Sequence, residues 1–230
     1  MDLVCPLDYR YGRAEMKQVF SEESRLKYLM QVEAALAKAH AKTGTVPTEA
    51  AEALQKVADA DGRVTPARVK EIEAEIKHDL MAVVKAMSEA ADQDYPELLP
   101  GKYVHQGATS YDTIDTANAL QFRDANEQIR AGLRRLRDAL LKLAHEHRHT
   151  TMLGRTHGQS AVPITFGLKM AVFASEVGRH LERMDEVRKR IEIGMMSGAT
   201  GSMAAFRGKG IEVQQEVCDL LGLALSLIHI

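Results

Sequence analysis

Apolar residues recur at three- and four-residue steps along most of the chain. Leu26, Leu29, Met30, Val32, Ala35, Leu36 and Ala39 form one such face, and that spacing predicts an amphipathic helix. Ser21 followed by Glu22 and Glu23 reads as its start, a capping hydroxyl with acids in the first turn. Gly44 reads as its stop. A short helix is expected after Pro47. Thr65-Pro66 places a cap before a proline at the first helical position. Val69, Ile72, Ile76, Leu80, Val83, Val84 and Met87 then keep the 3.6-residue period, which predicts one helix of more than about 20 residues.

A polar, proline-containing stretch over residues 92–101 reads as a loop and a candidate domain boundary. After Thr109-Ser110 comes the longest periodic run, about 112 to 149, with Ile129, Leu133, Leu136, Leu140 and Leu143 on one face. A second runs from about 164 to 193. Both exceed the usual helix of about 11–12 residues several-fold, and such a pair joined by a short loop predicts a long helical bundle. Periodicity breaks over residues 194–202, and a last helix is expected from Gly210. The expected fold class is all-α, with a helical N-terminal domain over 1–108 and the first part of a central bundle over 109–230.

Composition supports this. Aromatics make up 5% and Trp is absent, which starves strands of the residues they favour. Charged residues are 27% and apolar ones 45%, ordinary for a globular chain. The 30 Lys and Arg against 32 Asp and Glu give a net charge of −2, without the basic excess of a nucleic-acid binder. Only Cys5 and Cys218 occur, as expected in a reducing compartment. Neither a signal peptide nor an apolar run of the roughly 20 residues a membrane helix needs is legible. A cytoplasmic protein with no nucleic-acid and no membrane partner is expected.

Two strings imitate known sites. His145-Glu146-His147-Arg148-His149 spells His-Glu-x-x-His, but its intervening positions are hydrophilic and it closes a helix, where cations simply complement the dipole. Residues 201–210 faintly suggest a phosphate loop, with the wrong glycine spacing and no Ser or Thr after Lys209. A flexible connector is the expected structure there.

Four other pieces cluster polar groups at helix ends or in loops: Asp8-Tyr9-Arg10-Tyr11-Gly12, Lys77-His78-Asp79, residues 105–112 (His-Gln-Gly-Ala-Thr-Ser-Tyr-Asp), and residues 154–159 (Gly-Arg-Thr-His-Gly-Gln). Each alone also has a structural reading. Thr109 and Ser110 serve as caps, Lys77, His78 and Asp79 as a solvated face, and Gly154 and Gly158 as permission for a tight turn around His157.

Together, with Glu73-x-Glu75-x-x-His78-Asp79, these pieces closely resemble the fumarase/aspartase superfamily, and within it the adenylosuccinate lyases of archaeal type. The resemblance spans Pro6 to Leu223. It implies anti β-elimination: a base takes a proton from the carbon beside a carboxylate, and an acid protonates the departing nitrogen as fumarate leaves. His157 matches that general acid, and His78 the second active-site histidine. Thr109 and Ser110 match contacts to the succinyl part, Arg10 and Tyr11 to the phosphate, Lys77 and Asp79 to the nucleotide. The implied substrate is a small-molecule nucleotide, the implied assembly a homotetramer, and neither metal nor organic cofactor is implied. Many relatives carry Arg at the position of Lys77, and close ones often His at that of Ser160. In the cycloisomerase branch the histidine matching His157 is usually missing.

The family's catalytic base is a Ser in a Gly-Ser-Ser-x-Met-Pro-x-Lys-x-Asn loop, and no such string occurs in these 230 residues. A truncated, inactive fragment is therefore expected, with residues 224–230 outside the native frame. The competing expectations are another lyase or cycloisomerase of the superfamily, and a non-catalytic helical assembly module.

Overall fold

A computed structural model describes residues 10–226; Cys5 and Asp8-Tyr9 of the first motif lie outside the described residues. Helix α1 runs Ala14–Val19, α2 Glu22–Lys42, α3 Thr48–Asp59, α4 Pro66–Ile76 and α5 Asp79–Asp94. A 3-10 turn, Pro100–Tyr103, leads into α6, Ser110–Glu146. Strands β1 (Thr151–Thr156) and β2 (Gln159–Thr165) follow, then α7 (Phe166–Ile191), β3 (Ile193–Gly194), a 3-10 turn (Ala204–Phe206), α8 (Gly210–Leu221) and β4 (Ala224–Leu225). The all-α class holds, and none of these helices is long and apolar enough to cross a membrane.

The expected caps are in place. Ser21 accepts from the Ser24 N–H, and Thr65 from the Arg68 N–H with Pro66 at the first position. The helix expected to continue past Ile76 does not. Lys77 turns left-handed (φ 57°) and closes α4, and His78 opens α5 as its cap. The apolar period runs unbroken across this corner because Ile76 and Leu80 face the same core on either side of it.

The chain divides into two compact units, residues 10–124 with 191–226, and residues 125–190. In the first, α2 is the central element, buried from Val32 to Ala37 and again at Ala39 and His40. Four alanines in that run, Ala34, Ala35, Ala37 and Ala39, let α3 and α8 pack closely on it. Leu36, Leu54, Leu80, Met87, Leu120, Met196 and Phe206 fill the core. Residues 201–210 are more than a connector: Phe206 is 2% exposed, stacks on His40 at 5.7 Å, and would crowd a Cβ at Gly107 at 3.1 Å. Cys218 is a buried free thiol, its pKa pushed up to about 11 by burial.

In the second unit the remainder of α6 and most of α7 run antiparallel, tied by Arg130–Asp185 (2.5 Å) and Glu127–Arg188 (2.9 Å). Gly167 lies against the Ala144 carbonyl so closely that a Cβ would meet it at 2.5 Å. Met170, Ala174, Val177 and Leu181 are the buried stripe of α7. The loop expected between the long helices is instead a β-hairpin. Thr151 pairs with Thr165 and Thr156 with Gln159, with an irregularity between Leu153 and Arg155. Alternation is weak here and Pro163 argues against a strand, but a two-stranded ribbon has only edges, where proline is tolerated.

Candidate active site

Three of the four motifs turn on a non-glycine residue with positive φ: Lys77 (57°), His105 (62°) and His157 (51°). Non-glycine residues seldom adopt this conformation, and here it swings each motif out of the regular element beside it.

At the α4–α5 corner Lys77, His78 and Asp79 are all exposed. His78 Nδ1 accepts from the Met81 N–H at 3.3 Å, capping α5. Accepting at Nδ1 puts the ring proton on Nε2. The 3.5 Å approach of Nδ1 to Asp79 Oδ1 is then a contact without a hydrogen, and the Nε2–H is the ring's donor. Asp79 and Glu73 also line a cavity of about 150 Å³ whose wall is otherwise mostly aliphatic, with Leu26, Val69, Leu80 and Ile114.

Thr109 and Ser110 stand at the start of the 37-residue α6. Among the described residues neither hydroxyl has a hydrogen-bond partner, so both are available to a ligand at a helix N-terminus, a natural place for an anion. Their backbone is fixed by Asp112, which is fully buried and accepts from the Thr109 N–H (2.9 Å), the Ser197 N–H (2.9 Å) and the Gly198 N–H (2.8 Å). On the other side of the loop His105 Nδ1 donates to Glu33 Oε1 at 2.8 Å, and His40 Nε2 to the Gln106 carbonyl at 2.8 Å. Burial alone would push the His105 pKa down, but its bond to Glu33 and the charges of Glu33 and Asp112 outweigh that and raise it. Burial lowers the His40 pKa against the opposing pull of the Gln106 carbonyl.

Sequence reasoning missed Glu33, His40 and the role of Asp112. The signal was present, since Glu33 and His40 interrupt the apolar run of α2 without leaving its buried face.

Arg10 and Tyr11 are exposed at the start of the described residues, the guanidinium 5.9 Å from the ring centroid. His157 belongs to the second unit. With Gly158 (φ 71°) it forms the two-residue turn of the hairpin, both residues left-handed, as a type I′ turn requires. Its ring is exposed. Gly154 is not part of that turn. It lies in β1, where a Cβ would meet the Val162 carbonyl at 2.5 Å. Thus the structure groups Lys77, His78 and Asp79 at one corner, Thr109 and Ser110 at one helix start, and sets His157 at a hairpin tip.

At the end of α6 the histidine string makes local contacts. His147 Nδ1 meets Thr150 Oγ1 at 3.2 Å and its ring packs edge-on against Phe166. Among the described residues no cluster of His, Cys, Asp and Glu could hold a metal ion.

The chain is 48% identical over 225 residues to the adenylosuccinate lyase of Methanocaldococcus jannaschii, covering 98% of this chain and 47% of that protein. It is 39% identical over 223 residues to the N-acetyl-S-(2-succino)cysteine lyase of Enterococcus italicus, covering 97% of this chain and 47% of that one. The chain spans about half the length of the curated relatives it matches. Its fold superposes on the crystal structure of 3-carboxy-cis,cis-muconate lactonizing enzyme from Pseudomonas putida with a TM-score of 0.87 at 34% identity, over 96% of this chain and 49% of that one. This is the helical architecture of the fumarase/aspartase superfamily. The sequence model of the lyase family matches residues 9–228, so that nearly every residue described above, from Arg10 to the end of α8, lies within it, and the chain belongs to the lyase family.

Proposed function

We propose that the whole protein is an adenylosuccinate lyase, with this chain as its N-terminal half. It would release fumarate from adenylosuccinate to leave AMP, and from the succinylated carboxamide ribotide of purine synthesis to leave the free amide. The observation that carries this reading is the 48% identity to the Methanocaldococcus jannaschii enzyme across 98% of the chain.

In this reading a base outside these residues removes the proton next to a succinyl carboxylate. The resulting carbanion delocalises into that carboxylate. Thr109 and Ser110 hold the succinyl part, their hydroxyls and helix N-terminus favouring negative charge. Arg10 and Tyr11 take the nucleotide phosphate, for which a planar guanidinium fork is suited. Lys77 and Asp79 contact the nucleotide, and His78 assists from the corner between them with its Nε2–H. His157 protonates the leaving nitrogen, a step suited to an imidazole. Residues 1–108 form the N-terminal domain of the whole protein and 109–230 open its central bundle. The enzyme works as a cytoplasmic homotetramer whose sites draw on more than one subunit.

The test is fumarate release by a full-length protein containing these residues. Turnover of adenylosuccinate is the expected result. Turnover of N-acetyl-S-(2-succino)cysteine instead would transfer the elimination from a C–N to a C–S bond and refute the nucleotide assignment. Release from neither would refute both.

A further inference from the structure

The turn that carries Thr109 and Ser110 is gripped from beneath by one buried carboxylate. The Glu33 side chain is fully buried. A single oxygen, Oε1, accepts from His105 Nδ1 at 2.8 Å and from Thr113 Oγ1 at 2.9 Å. His105 precedes the turn and Thr113 follows it, so both flanks are drawn to the same atom. The second oxygen, Oε2, is buried and has no donor among the described residues. A carboxylate placed for stability would have both oxygens filled, because an unfilled buried acceptor is a cost, and buried ion pairs are poor stabilisers in general. What Glu33 supplies is geometry. It holds His105 in its left-handed conformation, while His40, two turns along α2, holds the Gln106 carbonyl. Asp112 is the other charged group facing His105.

We propose that Glu33 is a positioning residue, which by clamping His105 and Thr113 to one oxygen fixes the Thr109–Ser110 turn in the conformation that receives an anionic group of the substrate. The identity of that group as a succinyl carboxylate rests on the lyase reading. The clamp itself does not.

The experiment uses the 230-residue chain and no substrate, so that its failure is separable from failure of fumarate release. Histidine Cε1–H resonances are followed across pH, and amide hydrogen exchange is measured in residues 107–110, α2 and α3. In Glu33→Gln the shape and the acceptor for Thr113 are kept, but the charge opposite His105 is lost. The His105 pKa, which the Glu33 carboxylate raises in the parent, should fall. Exchange at residues 107–110 should quicken by about tenfold or more, while amides in α2 and α3 hold. Unchanged His105 titration, unchanged loop exchange, or equal acceleration in α2 and α3, the mark of a merely structural role, each overturns the proposal. Thr113→Val covers the case in which Glu33→Gln fails to fold. It removes one arm of the clamp, so loop exchange should quicken while His105 still titrates high, and no change in the loop overturns the proposal.

Discussion

Asp112 and Ser197, 85 positions apart, are joined twice through one oxygen: Asp112 Oδ1 accepts from the Ser197 N–H at 2.9 Å and from its hydroxyl at 3.3 Å. The other carboxylate oxygen takes the N–H groups of Thr109 and Gly198. The start of α6 is therefore fixed to the segment after β3 by a side chain with no exposed surface.

Asp112→Ala should be among the most damaging single changes in the first unit. It strands buried N–H groups, each unfilled donor being worth about 1–3 kcal/mol. Asp112→Asn should also destabilise, since either orientation turns its NH2 toward two donors. Urea unfolding of the three proteins checks this, and an Asn variant as stable as the parent would contradict the geometry.

Two histidines should give stability opposite slopes with pH. His105 has a raised pKa in the folded state, so its contribution is complete below about pH 6.5, the unfolded value, and fades as pH rises through the folded one. His40 has a lowered pKa, so its contribution is complete above about pH 6.5 and fades as pH falls toward the folded value. Together they place a maximum near there. His105→Asn should flatten the basic limb and His40→Asn the acidic limb of a denaturation series across pH.

His157 should be needed for turnover and not for folding. Asn tolerates the left-handed turn it occupies, and the ring is exposed. In a full-length protein His157→Asn should lower kcat by about 10²–10⁴-fold with the thermal midpoint kept. Arg10→Ala should instead mainly raise KM, as a lost binding contact does. Near-normal kcat in the first variant would remove His157 from the chemistry.

Gly154→Ala should open the hairpin from its middle. The added Cβ meets the Val162 carbonyl at 2.5 Å, and relieving such overpacking costs about 1–3 kcal/mol. Loss of cross-strand contacts between Leu153 and Pro163 by NMR, with the first unit intact, is the expected result. Gly158→Ala meets no neighbour but must hold φ at 71°, so its strain is conformational.

The isolated 230-residue chain should self-associate. Leu136 and Leu141 on α6 and Leu168, Val172 and Phe173 on α7 are each more than 40% exposed, a density of apolar surface that marks a contact face. Light scattering showing a monodisperse monomer would contradict this.

Caps and period were enough to place α2, α3, α6 and α8 from the sequence, because Ser21 and Gly44 act within one turn of the backbone they control. The corner at Lys77 was hidden, since Ile76 and Leu80 keep the apolar period across it and only the left-handed Lys77 betrays the break. The hairpin was hidden because its turn is His157-Gly158, not the Asn-Gly that usually announces one. At the candidate site, Thr109 and Ser110 were legible as a helix start. Glu33 and Asp112 were not assigned, because apart from the Thr109 N–H beside Asp112 their partners lie 72 to 86 positions away and no local pattern encodes such a pairing.

The first unit is built from two stretches of chain, with α8 packed on α2 across the whole of residues 125–190. On a ribosome this imposes a delay. Helices α2 to α5 emerge early, but the face of α2 that α8 covers stays bare until the chain has been made past Leu221. At about 5–20 residues per second that wait lasts roughly 10–35 seconds, and the loop to be closed is long, which slows folding further. During that interval the alanine-lined face of α2 is the part of the nascent protein most in need of a chaperone.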